Sequence, residues 1–238
     1  LTVEIRPHIY QIPAQKGGSH IYLLRGANKN MLIDTGTAAN FPSLEASLSE
    51  LGLKVADIHF VVLTHEHFDH SGATCFFFQT AVVAAHRLAA NKIELQDDFV
   101  TMIQSADASS VPFRADVWLE SDTLIDLGNY RLRALHTPGH VSGCICLYEP
   151  NERLLFTGDT VLSGGTLSGI FASGSISDYM NSLERLSALK IDKLCPGHGR
   201  LSDDPEGDIS RGMEYARDLF EDTKLLSETL VKGQWLDT

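Results

Sequence analysis

The sequence predicts an α/β domain of four layers, two β-sheets face to face with helices on both outer sides. Three observations carry this. Short apolar strands fall into an early and a late group, each group is flanked by segments with helical apolar spacing, and no linker or low-complexity stretch divides them. At 238 residues the chain is long enough to bury the core of one such domain over 1–238, with a lid or insertion expected around 87–113.

Taken in order, Ile9 to Ile12, His20 to Arg25 and Asn30 to Asp34 read as a meander of short strands, the last closed by Thr35-Gly36. Pro42 to Leu51 places Leu44, Leu48 and Leu51 on one helical face and stops at Gly52. Ile58 to Thr64 is an apolar, β-branched run suited to a buried strand, and Ala81 to Ala85 is another. From about 87 to 112 the pattern is helical or irregular, and Asp97, Asp98 and the Ser-rich 105–110 stretch suit an exposed insertion. A second cycle of strands follows at Thr123 to Leu127, Tyr130 to His136, Cys144 to Tyr148 and Leu154 to Thr157, separated by Gly, Pro or Asn turns. Ser177 is the expected cap of a helix whose Met180, Leu183, Leu186 and Leu189 follow the helical period, with Asp178 in its first turn. Lys193 to Pro196 is a last strand, and Ile209 to Leu230 an amphipathic helix with Met213, Ala216, Leu219 and Phe220 inward.

Composition removes several functions. The net charge is −12 and no Lys/Arg run offers a footprint for a phosphate backbone, so nucleic acid is not an expected partner and a small-molecule substrate is. Cations held locally would offset that charge at a site. No apolar run reaches membrane-spanning length, and the N-terminus lacks the charged head and apolar middle of a signal peptide; a cytoplasmic location is expected. Because the chain starts at Leu1 rather than Met, a removed leader stays open, and oligomeric state is not readable. The four cysteines, Cys75, Cys144, Cys146 and Cys195, read as reduced core residues rather than a disulfide framework.

Ten histidines invite a specific explanation for some of them. His65-Glu66-His67-Phe68-Asp69-His70 follows a buried strand, and strand alternation would put His65 and His67 on the same side at its end. An H-x-H-x-D-H string has a random chance on the order of one in a thousand in this composition. Three later segments set a metal-capable residue at a strand-to-loop junction: Thr137-Pro138-Gly139-His140, Thr157-Gly158-Asp159-Thr160 and Pro196-Gly197-His198-Gly199. Four such junctions can aim imidazole and carboxylate at one centre from rigid elements. His8, His20, His59 and His86 read as surface or hydrogen-bonded structural residues, and His136, which alternates from His140 through a Pro-Gly turn, is read with them rather than with the site.

In this order the segments HEHFDH, TPGH, TGDT and PGHG resemble the metallo-β-lactamase superfamily, closest in pattern to its glyoxalase II-like hydrolases, over about residues 20–200. The resemblance implies the metallo-β-lactamase fold, an αββα sandwich. It implies that His65, His67 and His140 bind one metal ion, that Asp69, His70 and His198 bind another, and that Asp159 bridges both. Asp34, in Leu-Ile-Asp-Thr-Gly, matches the family's early aspartate, which implies that it steadies the metal-binding loop. Imidazole and carboxylate donors without thiolate suit two divalent ions, Zn first, with Fe or Mn compatible. Two such ions about 3.5–4 Å apart share a hydroxide with a pKa near 7. The expected function is therefore a dinuclear metal-dependent hydrolase in which the bridging hydroxide attacks an ester, thioester or lactone, with Asp69 and Asp159 the candidate catalytic carboxylates.

Two alternatives stand beside it: a mononuclear iron dioxygenase of the same fold, similar to persulfide dioxygenases, and a metal-containing binding module without turnover. After Asp159 the chain lacks the Gly-Arg-Thr/Ser-Asp/Glu-like segment of glyoxalase II and persulfide dioxygenase relatives, which argues against a glutathione-linked substrate. Asp159 stands where β-lactamases of the family carry Cys or Ser, which argues against antibiotic cleavage. The 163–175 loop with Phe171, and the 97–113 insertion, are expected to wall a pocket for a small or medium apolar acyl group.

Overall fold

The computed structural model describes residues 2–102 and 111–234, with side chains of the last helix described to residue 224. Residues 103–110, which hold the Ser-rich core of the insertion expected at 87–113, lie outside the described residues, as does 235–238.

Two sheets form the centre. In the first, β1 (Val3–Arg6), β2 (Ile9–Ile12), β3 (Ile21–Arg25) and β4 (Asn30–Ile33) are antiparallel neighbours. The sheet continues in parallel through β5 (Phe60–Leu63), β6 (Val82–His86) and β7 (Val117–Leu119). The second sheet has the order β12-β11-β10-β9-β8, from β8 (Thr123–Asp126), β9 (Arg131–His136), β10 (Ile145–Glu149), β11 (Leu154–Gly158) and β12 (Lys193–Pro196). Only β11 and β12 pair in parallel there. Parallel neighbours need crossovers long enough to hold a helix. Between β4 and β5 lies α1 (Phe41–Glu50); between β5 and β6 the single turn α2 (Phe68–Ser71); between β6 and β7, α3 (Arg87–Glu94) and the short α4 (Asp98–Thr101). The β11–β12 crossover holds α5 (Ile176–Ser187), and α6 (Pro205–Gln234) closes the chain.

Strand alternation divides the core into three slabs. In β3, Ile21 and Leu23 pack outward with Leu44 and Leu48 of α1 and Ala89 and Ile93 of α3. The intervening Tyr22 and Leu24 face inward, with Met31, Ile33 and Val62, against Leu132, Ala134, Ile145, Leu147 and Phe156 of the second sheet. Cys146, Tyr148 and Leu155 point to the far side, where Tyr179, Leu183 and Leu186 of α5 and Ile209 and Ala216 of α6 cover them. The layers are therefore helix, sheet, sheet, helix, as the sequence predicts. Each fully buried leucine in these slabs contributes about 1.5–3 kcal/mol of apolar transfer.

The differences from the sequence reading sit at element ends. Ser175, not Ser177, caps α5: its hydroxyl accepts the Asp178 amide at 3.4 Å, because helical backbone begins at Ile176. Leu219 is 42% exposed instead of inward, since α6 finds its partner α5 only as far as Ala216 and runs on past it. The edge strands β1 and β7 carry no clear apolar signal, because Val3, Val117 and Trp118 are exposed on them. Cys75, Cys144, Cys146 and Cys195 are all buried and in no disulfide. Among the described residues, no helix is long and apolar enough to cross a membrane.

Candidate metal centre

Every residue of the four motifs follows the C-terminal end of a strand along one edge of the sandwich. His65 and His67 follow β5, Asp69 and His70 lie on α2, His140 follows β9, Asp159 follows β11 and His198 follows β12. β5 stops at Leu63, so a bend rather than strand alternation brings His65 and His67 together, with ring centroids 4.7 Å apart. Gly197 lets the β12 loop in close: a Cβ there would lie 2.5 Å from His70 Cε1 and 2.8 Å from Asp159 Oδ1.

Two groups of donors result, and a third, His65, His70 and Asp159, overlaps both. His65, His67 and His140 offer donor atoms within 4.8 Å of one another, and so do Asp69, His70 and His198. In the first, His67 Nδ1 faces His140 Nε2 at 3.1 Å; in the second, His70 Nε2 faces His198 Nε2 at 3.2 Å, with Asp69 Oδ2 3.1 Å from His198 Nε2. Asp159 stands between them. Its Oδ1 is 3.3 Å from His70 Nε2 and 3.6 Å from His198 Nε2, and its Oδ2 is 3.7 Å from His140 Nε2.

The far side of most rings is already engaged. Asp34 Oδ2 meets His70 Nδ1 at 2.7 Å and accepts the Thr64 hydroxyl at 2.7 Å, while Oδ1 accepts the Thr64 amide at 2.7 Å. Thr64 Oγ1 lies 3.1 Å from His65 Nδ1. His140 Nδ1 reaches the Gly169 carbonyl at 2.8 Å and Ser168 Oγ at 2.9 Å. Such contacts select the tautomer and leave Nε2 of each ring turned to the centre.

Burial and neighbouring charge divide the imidazoles. Burial pushes His65 well below the ordinary value, with His70 and His67 adding to it. Burial likewise takes His67 down to about 3, and lowers His140 although Asp159 pulls the other way. For His70 burial is outweighed by Asp159, Asp69 and Asp34, which raise it well above the ordinary value. Burial would raise Asp159, but His70, His198 and His140 hold its carboxyl below the usual range. Neutral imidazoles and an ionised carboxylate are the forms that bind a cation.

The donors also fit a cation by what they lack. His65 Nε2, His67 Nε2 and Asp159 Oδ1 are buried without a hydrogen-bond partner, and nitrogen faces nitrogen in both groups. Orphaned buried polar atoms are costly unless an ion or water satisfies them. The open side is at His198 and Asp69, whose side chains are 35% and 21% exposed against 0% for His65 and His70.

Residues 14–198 match the family model described as metallo-beta-lactamase superfamily. The chain belongs to this superfamily. It is 32% identical over 209 residues to human acyl-coenzyme A thioesterase MBLAC2, covering 76% of this chain and 72% of that protein. A metallo-beta-lactamase family protein of Thermus thermophilus superposes with a TM-score of 0.77 at 25% identity, over 92% of this chain and 82% of that one. The subclass B3 metallo-beta-lactamase of Bradyrhizobium japonicum shares the fold, with a TM-score of 0.72 at 22% identity and coverage of 97% and 95%. A superfamily member with these His/Asp groups is, at the general level, a metal-binding hydrolase.

All seven predicted site residues come together in this superfamily member, and Asp34 lies behind His70. His136 does not face the centre: it stacks on His86 at 3.8 Å and contacts the Ser142 carbonyl. His20 and His59 are hydrogen-bonded to backbone, as a structural role requires. Phe171 does stand at the centre, edge-on to His67 and His140 at 5.1 and 5.0 Å. Sequence reasoning missed the role of Thr64, which directly precedes the HEHFDH segment, and of Ser168 and Lys92, single polar residues outside any motif.

Proposed function

We propose that the protein is a dinuclear metal-dependent hydrolase of small acyl substrates, holding one divalent cation with His65, His67 and His140 and another with Asp69, His70 and His198. Asp159 would bridge them. The observation that carries this reading is that Asp159 offers one carboxylate oxygen to each group. Zinc suits the donor set, and manganese or iron shares its chemistry. Bound, the ions would supply an activated water and positive charge opposite the developing oxyanion.

The chain's own residues do the rest. Asp34 and Thr64 hold His70 and His65 in their binding tautomers, and Ser168 and Gly169 do so for His140. Asp159 and Asp69, held ionised beside the histidines, are placed to accept hydrogen bonds from a water and so orient it. Substrate approaches over His198 and Asp69, with its acyl group against the half-exposed Phe171. Among thioester, carboxylic ester and lactone we place the thioester first, because the human relative is named an acyl-coenzyme A thioesterase. Since the donors come from loops of both sheets, we read the chain as one domain.

Elemental analysis of the purified protein tests this together with a thioester, ester and lactone screen. About two zinc or manganese ions per chain and thioester cleavage are expected, both lost in an Asp159→Ala, His67→Ala double variant. About one iron with oxygen consumption, or no metal after repletion, overturns it.

A further inference from the structure

We propose that Lys92 is a positioning residue whose ammonium ties the Phe171 loop to the two segments carrying His65, His67 and His140. Lys92 lies in the last turn of α3, with its side chain 17% exposed. Nζ donates to Glu66 Oε1 at 2.5 Å, Ser142 Oγ at 2.6 Å and Ser173 Oγ at 2.9 Å, which uses all three of its protons. Each partner belongs to a different part of the site. Glu66, fully buried, stands between His65 and His67; Ser142 is two residues beyond His140; Ser173 is two beyond Phe171.

The loop so held does two things at the centre. Its Gly169 carbonyl and Ser168 hydroxyl fix His140 Nδ1, and its Phe171 ring lies against His67 and His140. Its other anchors are the Ser168 hydroxyl, which donates to the Asp159 carbonyl at 2.6 Å, and two backbone bonds, the Phe171 amide to the His140 carbonyl at 2.9 Å and the Ser175 amide to the Gly139 carbonyl at 2.9 Å. Gly174 packs directly on the backbone of Gly139 and His140, where any Cβ would collide. Ser173 Oγ also accepts the Ser142 amide at 3.2 Å, so a side chain that joins the two loops is itself held by Lys92. An ammonium satisfied by a buried carboxylate and two hydroxyls stays in place, because moving it would strand Glu66 without its counter-charge.

Releasing Ser173 should therefore loosen Phe171 first, raising the KM of apolar acyl substrates with little effect on kcat. Releasing Lys92 should also loosen His140 and the hold on its metal. The acyl-substrate and metal effects rest on the hydrolase reading; the loop tie does not.

The test uses the zinc-loaded full chain, comparing Ser173→Ala, Lys92→Arg, Lys92→Met and the doubly neutralised Glu66→Gln, Lys92→Met protein. Amide hydrogen exchange over residues 168–176, zinc retention against a chelator, and KM and kcat for acyl thioesters of rising chain length are read. Ser173→Ala is expected to exchange roughly tenfold faster in that segment and to raise KM several-fold, most for long chains, with kcat within about twofold. Lys92→Arg, which keeps charge and donors, is expected to retain protection, whereas the doubly neutralised protein loses it and gives up zinc about tenfold more readily. Wild-type exchange over 168–176 in both Ser173→Ala and the doubly neutralised protein overturns the proposal, whatever the substrate proves to be. If Lys92→Met fails to fold, those two variants still decide. A failed substrate screen with faster exchange would count against the hydrolase reading and for the tie.

Discussion

Replacing Asp34 by Asn separates the tautomer of His70 from the packing around it. Asp34 is 2% exposed and sits at φ +59°, a left-handed conformation that Asn tolerates, so the backbone need not move. The wild-type carboxylate accepts from the Thr64 amide through Oδ1, and from the Thr64 hydroxyl and His70 Nδ1 through Oδ2. An Asn whose carbonyl keeps the Thr64 amide turns its NH2 toward His70, and Nδ1 must then accept. Once the ring is neutral its proton then sits on Nε2, the atom aimed at Asp159 and His198. That tautomer cannot ligate until it is reversed. Losing such an outer contact lowers metal affinity by about 10- to 100-fold, equivalent to about 1.4–2.7 kcal/mol. Zinc competition with a chromophoric chelator measures it, and the Asn variant should retain one tight ion and lose affinity for the other. Zinc affinity within twofold of wild type at both positions would refute the tautomer argument.

The charge states of His70 itself and of His86 are open to the same kind of test. Asp159, Asp69 and Asp34 outweigh burial and keep His70 protonated in the metal-free chain, so zinc must displace about one proton there. Affinity should rise with pH across neutrality, and calorimetry in buffers of different ionisation heat should detect the proton; equal heats would sink the idea. His86 behaves oppositely: burial, then His136, Arg87 and Lys92, push it down to about 4. Its folded pKa is below that of the unfolded chain, so its contribution is complete above pH 6.5 and is lost as pH falls toward 4. The shift sets a ceiling of about 3 kcal/mol. His86→Asn, which keeps a cap acceptor for Leu88, should flatten the fall in Tm between pH 7 and 4.5 in metal-free protein, and an unchanged slope would refute the assignment.

The elements most legible in the sequence are those with strong local periodicity. α1 is signalled by Leu44, Leu48 and the terminating Gly52, β5 by its β-branched run, and α5 by Leu183 and Leu186. The seven donors were equally legible, since His and Asp at strand-to-Gly junctions are rare by chance and occur here in one order. Element ends were less so. Ser175 and Ser177 are equivalent caps on paper, and only the path of the chain out of the Phe171 loop selects Ser175. β1 and β7 were invisible because edge strands leave half their side chains in water and need no apolar alternation.

By itself the sequence determined the four-layer class and the net negative charge, because periodicity, turn chemistry and charge are properties of neighbouring residues and of the whole composition, and its resemblance to the superfamily pointed to the candidate donors. Only the tertiary structure decided which atoms meet: Asp159 with one oxygen toward each group, Asp34 behind His70, and Lys92 joined to Glu66, Ser142 and Ser173 across 26, 50 and 81 residues of chain. Such contacts leave no periodic trace. They arise because packing two sheets brings the C-terminal ends of β5, β9, β11 and β12 to one edge, where side chains distant in sequence share a single buried space.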